Sequence, residues 1–398
     1  MIEYDPFSDA VMRDPWPHYA QLRREAPVFY HAKYDTWFLS KFEDIRASTT
    51  SDVFTAERGV TPEMVLLKAP PPPDPVFSML DLPRQRDYRR MFAPRYAKNA
   101  IAGLEDGIRA KTRALLRPLA ERGRFDVYRD LADPLATQVI AELSGLPKDE
   151  AFALRAQVAR FFARQPGQIG TTPENEAARV AVVTRLAEIV VARLESGDDE
   201  GEGPSLGHAT YPGRGAPRSR SARWSRPLYT WLVTGVEVVP LSVANTILQL
   251  DRHPDQRRRL VEDPALIPFA YDESLRYDQP TNLLGRFVKE PVEIRGQKLE
   301  SGQGVMFLWA SGNRDEEEFP RADVFDIARR PPRSLSFGHG AHKCIGEHLG
   351  RLEGRVLLEE ILALAPDHAV DVSGVERTYG EFLHGYQAVP IEFAPRSL

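Results

Sequence analysis

Apolar residues recur at helical spacing over most of the chain. Between residues 101 and 194 they fall three to four apart, and Leu131, Leu135, Val139 and Leu143 form one four-residue series. A stripe at that period is the buried face of amphipathic helices. The longest apolar stretch runs from Leu228 to Leu250 and is closed by Asp251-Arg252-His253-Pro254, which predicts one central helix crossing a whole domain. Pro240 within it has no N–H for the carbonyl of Val236, so a kink is expected there. Strand patterns are short: Val28-Phe29-Tyr30 with Thr36-Trp37-Phe38-Leu39 as a hairpin, then Val292-Glu293-Ile294 and Val305-Met306-Phe307-Leu308. Asp14 opens a capped helix to Glu25, and Asp81 to Arg90 opens another that sets Gln85 and Arg89 on one face. The pattern is mostly helical with a few short strands, and at 398 residues two domains or one large helical domain are both open.

Two stretches carry no such period. Residues 56–79 place Pro70-Pro71-Pro72-Pro73 after the apolar Met64-Val65-Leu66-Leu67 and are too irregular for one helix. Residues 196–226 are rich in Gly, Pro and Ser and carry Arg214, Arg218, Arg220, Arg223 and Arg226. Such a segment cannot bury enough surface to offset chain entropy, so a flexible basic loop is expected, with docking to an acidic partner as its functional alternative.

Composition narrows the classes. A formal charge of -5 over 398 residues makes no case for nucleic acid and favours a small-molecule partner. No apolar run follows Met1-Ile2-Glu3-Tyr4-Asp5, so neither a signal peptide nor a membrane anchor is expected, and the chain reads as soluble and cytoplasmic. A single cysteine excludes an intramolecular disulfide and fits a reducing compartment.

That cysteine lies in Ser336-Phe337-Gly338-His339-Gly340-Ala341-His342-Lys343-Cys344-Ile345-Gly346. The glycines before it permit a tight backbone, and after Gly346 the pattern turns helical with Leu349, Leu352 and Leu357. A thiol where a loop enters a helix meets free N–H groups and the positive end of the dipole, which favour the thiolate that binds a soft metal. A buried, inert cysteine is the plainer reading.

The spacing Phe-Gly-x-Gly-x-His-x-Cys-x-Gly, met by Phe337, Gly338, Gly340, His342, Cys344 and Gly346, resembles the haem-binding loop of the cytochrome P-450 family, bacterial soluble class. The resemblance runs from Asp14 to Tyr386 and implies one cytochrome P-450 domain over residues 1–398, a mainly α fold with a small β-rich part. It implies haem (heme b) with its iron on the Cys344 thiolate, whose electron-rich sulfur favours O–O cleavage on the opposite face. It also implies propionate contacts for His342, Arg89 and Arg286, with Gln85 standing where a histidine is usual, and Phe337 packed near the sulfur. Glu273 and Arg276 match the family's Glu-x-x-Arg pair, Arg329 its second arginine, and Asn313-Arg314-Asp315 a further marker. Leu283, Leu284 and Phe382 are expected at the substrate pocket, and Val158, Phe161, Phe162 and Gln165 where the lid helices begin.

The long helix departs from the family. Thr234-Gly235-Val236-Glu237-Val238 stands where Ala-Gly-x-Glu/Asp-Thr is usual, so the acid is kept and the alcohol is lost. Valine donates no proton. The candidates that remain are Thr234 one turn earlier, a water on the freed Val236 carbonyl, and a hydroxyl or amine of the substrate. Glu237 reads as a proton relay or as a buried structural acid. The resemblance implies a monooxygenase of secondary metabolism, oxidising a small or medium organic substrate with O₂ and two electrons from ferredoxin and its reductase, NAD(P)H indirectly. Lys98, Lys343 and Arg351 are the candidate docking cations, and a monomer is expected. Two alternatives stand beside it: a peroxide-driven, coupling or nitrating haem-thiolate enzyme, and a non-enzymatic partner protein, against which Cys344 argues.

Overall fold

The computed structural model describes residues 2–72, 75–196 and 220–397. The apolar series expected to be core is core: Leu131 and Leu135 are fully buried, Val139 nearly so, and Leu143 packs at the edge of the same cluster. The helices that frame the site are α1 (Pro62–Val65), α2 (Arg84–Phe92), α3 (Asp133–Ser144), α4 (Lys148–Phe162), α5 (Pro173–Ser196), α6 (Arg220–Gly235), α7 (Val238–Arg252), α8 (Ile267–Tyr277) and α9 (Glu347–Leu364). Every residue of α7 from Val239 to Leu250 is buried. A helix apolar on all sides belongs at the centre of a fold, and although Leu228–Arg252 is long and apolar enough to span a membrane, 83% of its apolar window is buried inside the protein.

Where one helix kinked at Pro240 is predicted from Leu228 to Leu250, the chain leaves the helix after Gly235 and re-enters it at Val238. Pro240 is the reason, because its ring crowds the Val236 carbonyl and supplies no N–H to it. The first bond beyond the break, Leu241 N–H to Glu237 O, is a long 3.5 Å. The basic stretch is also corrected in part: the chain is helical from Arg220, six residues before the expected end of the loop at 226. Residues 197–219, with Arg214 and Arg218, lie outside the described residues.

The β part is built on a five-stranded sheet of β1 (Val28–His31), β2 (Thr36–Leu39), β3 (Phe54–Thr55), β4 (Leu284–Val288) and β5 (Gly304–Phe307), in the order β1-β2-β5-β4-β3. The predicted hairpin is β1 with β2. β2 and β5 run parallel, Thr36 opposite Gly304 and Leu39 opposite Phe307, and the other pairs are antiparallel. Alternation along β2 sends Phe38 to a cluster with Tyr4, Tyr19 and Met306, and Trp37 and Leu39 to one with Val305 and Phe307 on the other face. Val292–Ile294 pairs with Gln297–Leu299 as a separate small hairpin.

Candidate active site

The cysteine loop is held by its own backbone. The amide of Cys344 donates to the Phe337 carbonyl at 2.8 Å and that of Gly338 to Leu335 at 2.9 Å. Asn313 Oδ1 accepts from the Leu335 amide at 2.7 Å. Gly338 and Gly340 take φ of +70° and +71°, and a methyl group at 340 would stand 2.6 Å from the Thr49 carbonyl oxygen, so neither position takes a side chain without strain. From the opposite side α2 grips the loop: Gln85 Nε2 donates to the Ala341 carbonyl at 2.7 Å and Arg89 Nη1 to that of Lys343 at 2.5 Å. Gln85 thus spends a donor on the loop itself.

Cys344 is exposed, at the point where the loop meets the following helix. Desolvation raises its pKa above the ordinary value; the Gly346 amide, Arg89 and Lys343 oppose that rise without overcoming it. The helix start alone therefore does not favour the thiolate, contrary to the expectation from its position; a metal bound to the sulfur would supply that preference. The donors nearby fit the group that the loop implies. His342 Nδ1 is buried without a hydrogen-bond partner among the described residues. Its pKa is depressed to about 3 by burial and by Arg286 and Arg89, despite Asp81. Arg286 donates to the carbonyl of Gly285 at 2.7 Å, and burial brings its pKa down to about 10, with Asp81 opposing. A thiol flanked by buried cationic and neutral donors suits an iron porphyrin carrying carboxylates. Phe337 packs beneath the Arg351 guanidinium, 4.4 Å from its ring centre.

Behind the loop, the buried Glu273 and Arg276 form a two-bond pair at 2.8 Å, and the half-buried Arg329 joins Glu273 through Nε at 3.1 Å. Arg276 also donates to the carbonyls of Asn313 and Ala322, so the three residues expected together are together. Of the candidate docking cations, Lys98 is exposed. Lys343 is paired with Glu347, and Arg351 with Glu347 and Asp272.

On the distal side Glu237 is 7% exposed in its side chain and pairs with Arg155 Nη1 of α4 at 2.7 Å. Arg155 also binds Asp133 at 2.5 Å and the Tyr128 hydroxyl at 2.8 Å. Burial pushes the Glu237 carboxyl up to about 7; Arg155 works against it, and Asp133 adds to it. The Thr234 hydroxyl donates back to the Thr230 carbonyl at 2.7 Å, which uses its proton within the helix. Val238 is half-buried. Glu237, Arg155, Tyr128 and Leu241 line a cavity of about 190 Å³ together with Arg164, Glu381 and Phe382. Phe382 stacks on Phe162 of α4 at 5.8 Å and 21°.

Not every pocket expectation holds. Leu283 is fully buried in the cluster of Tyr19, Phe38 and Met306, so it belongs to the core of the sheet and lines no pocket; Leu284, half-buried, points to the other face. Val158 is core as well, while Phe161 and Phe162 stay partly accessible. Sequence reasoning missed Arg155. Its signal was a charge among Ala151, Leu154 and Val158, the buried residues of α4, because a cation there needs an acid partner.

The sequence profile of the cytochrome P450 family matches residues 265–364, which hold Glu273, Arg276, Arg329 and the cysteine loop. The chain is 30% identical over 401 residues to the vitamin D(3) 25-hydroxylase of Pseudonocardia autotrophica, covering 99% of this chain and 98% of that one. It is 32% identical to putative cytochrome P450 126 of Mycobacterium tuberculosis, over 91% of this chain and 90% of that one. Among solved structures, a mutant of P450 EryK in complex with erythromycin B superposes with a TM-score of 0.84 at 25% identity, covering 98% of both chains. The cysteine loop, the buried Glu-x-x-Arg pair and these full-length likenesses agree, and the chain belongs to the cytochrome P450 family, with haem iron ligated by Cys344.

Proposed function

We propose that this haem-thiolate monooxygenase hydroxylates a small or medium organic molecule of secondary metabolism in the cytoplasm, as a single-domain monomer fed by a ferredoxin and its reductase. The observation that carries the reading is the Cys344 loop, beside which His342 Nδ1 is buried without a hydrogen-bond partner among the described residues; a buried acid titrating near neutrality at a break in the distal helix supports it. The hydroxylase relative and the erythromycin-bound neighbour support the reaction type and an organic small-molecule substrate.

Bound haem supplies oxygen activation. The chain's own residues do the rest. Cys344 ligates the iron, and His342, Arg286 and Arg89 take the propionates. Phe337 covers the sulfur, and Glu273, Arg276 and Arg329 fix the backbone behind it. Phe382 and Leu284 wall the substrate. Glu237 holds a proton at its carboxyl below pH about 7 and releases it above, which is the range a general acid needs. From Glu237 the proton passes to water on the Val236 carbonyl, since Val238 has no hydroxyl and Thr234 has committed its own. A hydroxyl or amine of the substrate is the last donor in this path.

The test is turnover with ferredoxin, its reductase and NADPH, scored as product per NADPH oxidised. Glu237→Gln lowers that ratio about tenfold or more and removes its decline as pH rises through 7. Val238→Thr leaves it within about twofold, because the substrate already fills the alcohol's role; a clear gain with the same product refutes substrate assistance. The missing alcohol favours one second reading, a peroxide-driven oxidation, and turnover with peroxide alone would establish it.

A further inference from the structure

Arg164 follows α4 by two residues and has no part in the chemistry above. Its side chain is 4% exposed, yet its guanidinium serves three segments that are remote in sequence. Nη1 donates to the carbonyls of Phe161 at 2.9 Å and Ala163 at 3.2 Å, closing the end of α4. Nη2 pairs with Glu63 of α1 at 2.6 Å and reaches Glu381 at 3.3 Å, with Nε at 3.4 Å from the same oxygen. Glu381 sits in the C-terminal hairpin of Glu376–Arg377 and Tyr386–Ala388. There Asn282 fixes the backbone, Nδ2 donating to the Glu381 carbonyl at 3.0 Å and N–H to that of Phe382 at 2.9 Å.

Two carboxylates share one guanidinium, and Glu381 Oε2 has no hydrogen-bond partner among the described residues. The cluster is tight on the Glu63 side and loose on the Glu381 side. Two of these segments, the end of α4 and the hairpin, line the cavity, with Phe162 of α4 stacked on Phe382 of the hairpin, and Glu63 of the α1 segment holds Arg164 from outside that lining. Residues 163–172, which join α4 to α5, lie on the α1 segment, where a methyl group at Gly170 would stand 2.5 Å from Leu67 Cδ1. Asn175 stiffens this connection, its Nδ2 donating to the carbonyls of Arg160 at 2.7 Å and Ala163 at 3.1 Å. On the outside Leu67 and Ile169 remain 38% and 52% exposed. The result is a stiff flap with an apolar lip and one charged fastening.

We propose that Arg164 is the gating residue of the substrate pocket: its pairs with Glu63 and Glu381 hold shut the seam between residues 163–172, α1 and the C-terminal hairpin, and an apolar substrate enters when they separate. The inference rests on reading this pocket as the one over the haem. Arg164 is a positioning residue and touches no reacting atom.

Stopped-flow absorbance of the full-length holoenzyme tests it with two haem ligands of different size, 4-phenylimidazole and carbon monoxide. In Arg164→Ala, 4-phenylimidazole both binds and leaves about tenfold faster, carbon monoxide changes less than about twofold, and Arg164→Lys restores most of the slow rates. Glu63→Gln shifts the rates the same way and decides the matter alone if Arg164→Ala does not fold. Unchanged 4-phenylimidazole rates in these variants, or equal acceleration of both ligands, overturns the gate while leaving the haem reading intact. A wild-type protein with no thiolate-haem spectrum overturns the haem reading, and the gate with it.

Discussion

Glu353 is a carboxylic acid with nothing to share its charge. It lies buried in α9, its Oε2 has no hydrogen-bond partner among the described residues, and burial pushes its pKa up to about 8. The sign of its effect follows. In the unfolded chain the group ionises near the ordinary glutamate value, while in the folded protein it keeps its proton to about pH 8. Its contribution is therefore whole at acid pH and is lost as pH rises toward 8. Glu353→Met should match the wild type in Tm near pH 5 and exceed it by several degrees at pH 8, a difference that differential scanning calorimetry across pH would read. At this scale the sequence was most legible where local chemistry decides, as at Cys344, whose loop and following helix are contiguous. It was least legible at Arg155 and Arg164. Their partners stand 82 and 217 residues away, at Glu237 and Glu381, and no spacing rule reaches that far.

The break between α6 and α7 puts Glu237 where it is, and the close approach of Gly235 to α3 holds α6 in place beside it. A methyl group at 235 would come within 2.4 Å of Ile140 Cδ1 and 2.6 Å of its Cγ1. Gly235→Ala should then lower Tm by several degrees in the wild type and be neutral or stabilising in an Ile140→Ala background, because alanine favours helix once the clash is gone. Thermal melts of the four proteins in that cycle check it. Pro240 announced the kink in the sequence, but not that the helix would stop two residues before Val238. The neighbouring pair Leu283 and Leu284 shows a limit of the same kind. Consecutive residues of an extended segment face opposite ways, so the two cannot share one environment: Leu283 packs with Tyr19 and Phe38, and Leu284 against the cluster of Trp37 and Leu39.

At the scale of the whole molecule the mainly helical fold and its single haem were legible, because a long motif, a helix-length apolar run and the Glu-x-x-Arg pair each pointed to the same architecture. The Glu273 network joins α8 to the chain leading into the cysteine loop, through Arg329 and the Arg276 bonds to Asn313 and Ala322. Glu273→Leu leaves the buried Arg276 and the half-buried Arg329 without their carboxylate, a cost of about 3–5 kcal/mol. The variant should lose haem during purification, read as a fall in Soret absorbance per mole of protein. The order of the sheet was not legible, since pairing between strands so distant leaves no mark in local pattern. That pairing bears on biosynthesis. β2 leaves the ribosome early, whereas β5, which covers its open edge, is translated more than 260 residues later. Throughout that interval the nascent hairpin offers bare amides and carbonyls to any other chain, so yield in a foreign host should depend on chaperone supply during translation more than on the stability of the finished enzyme.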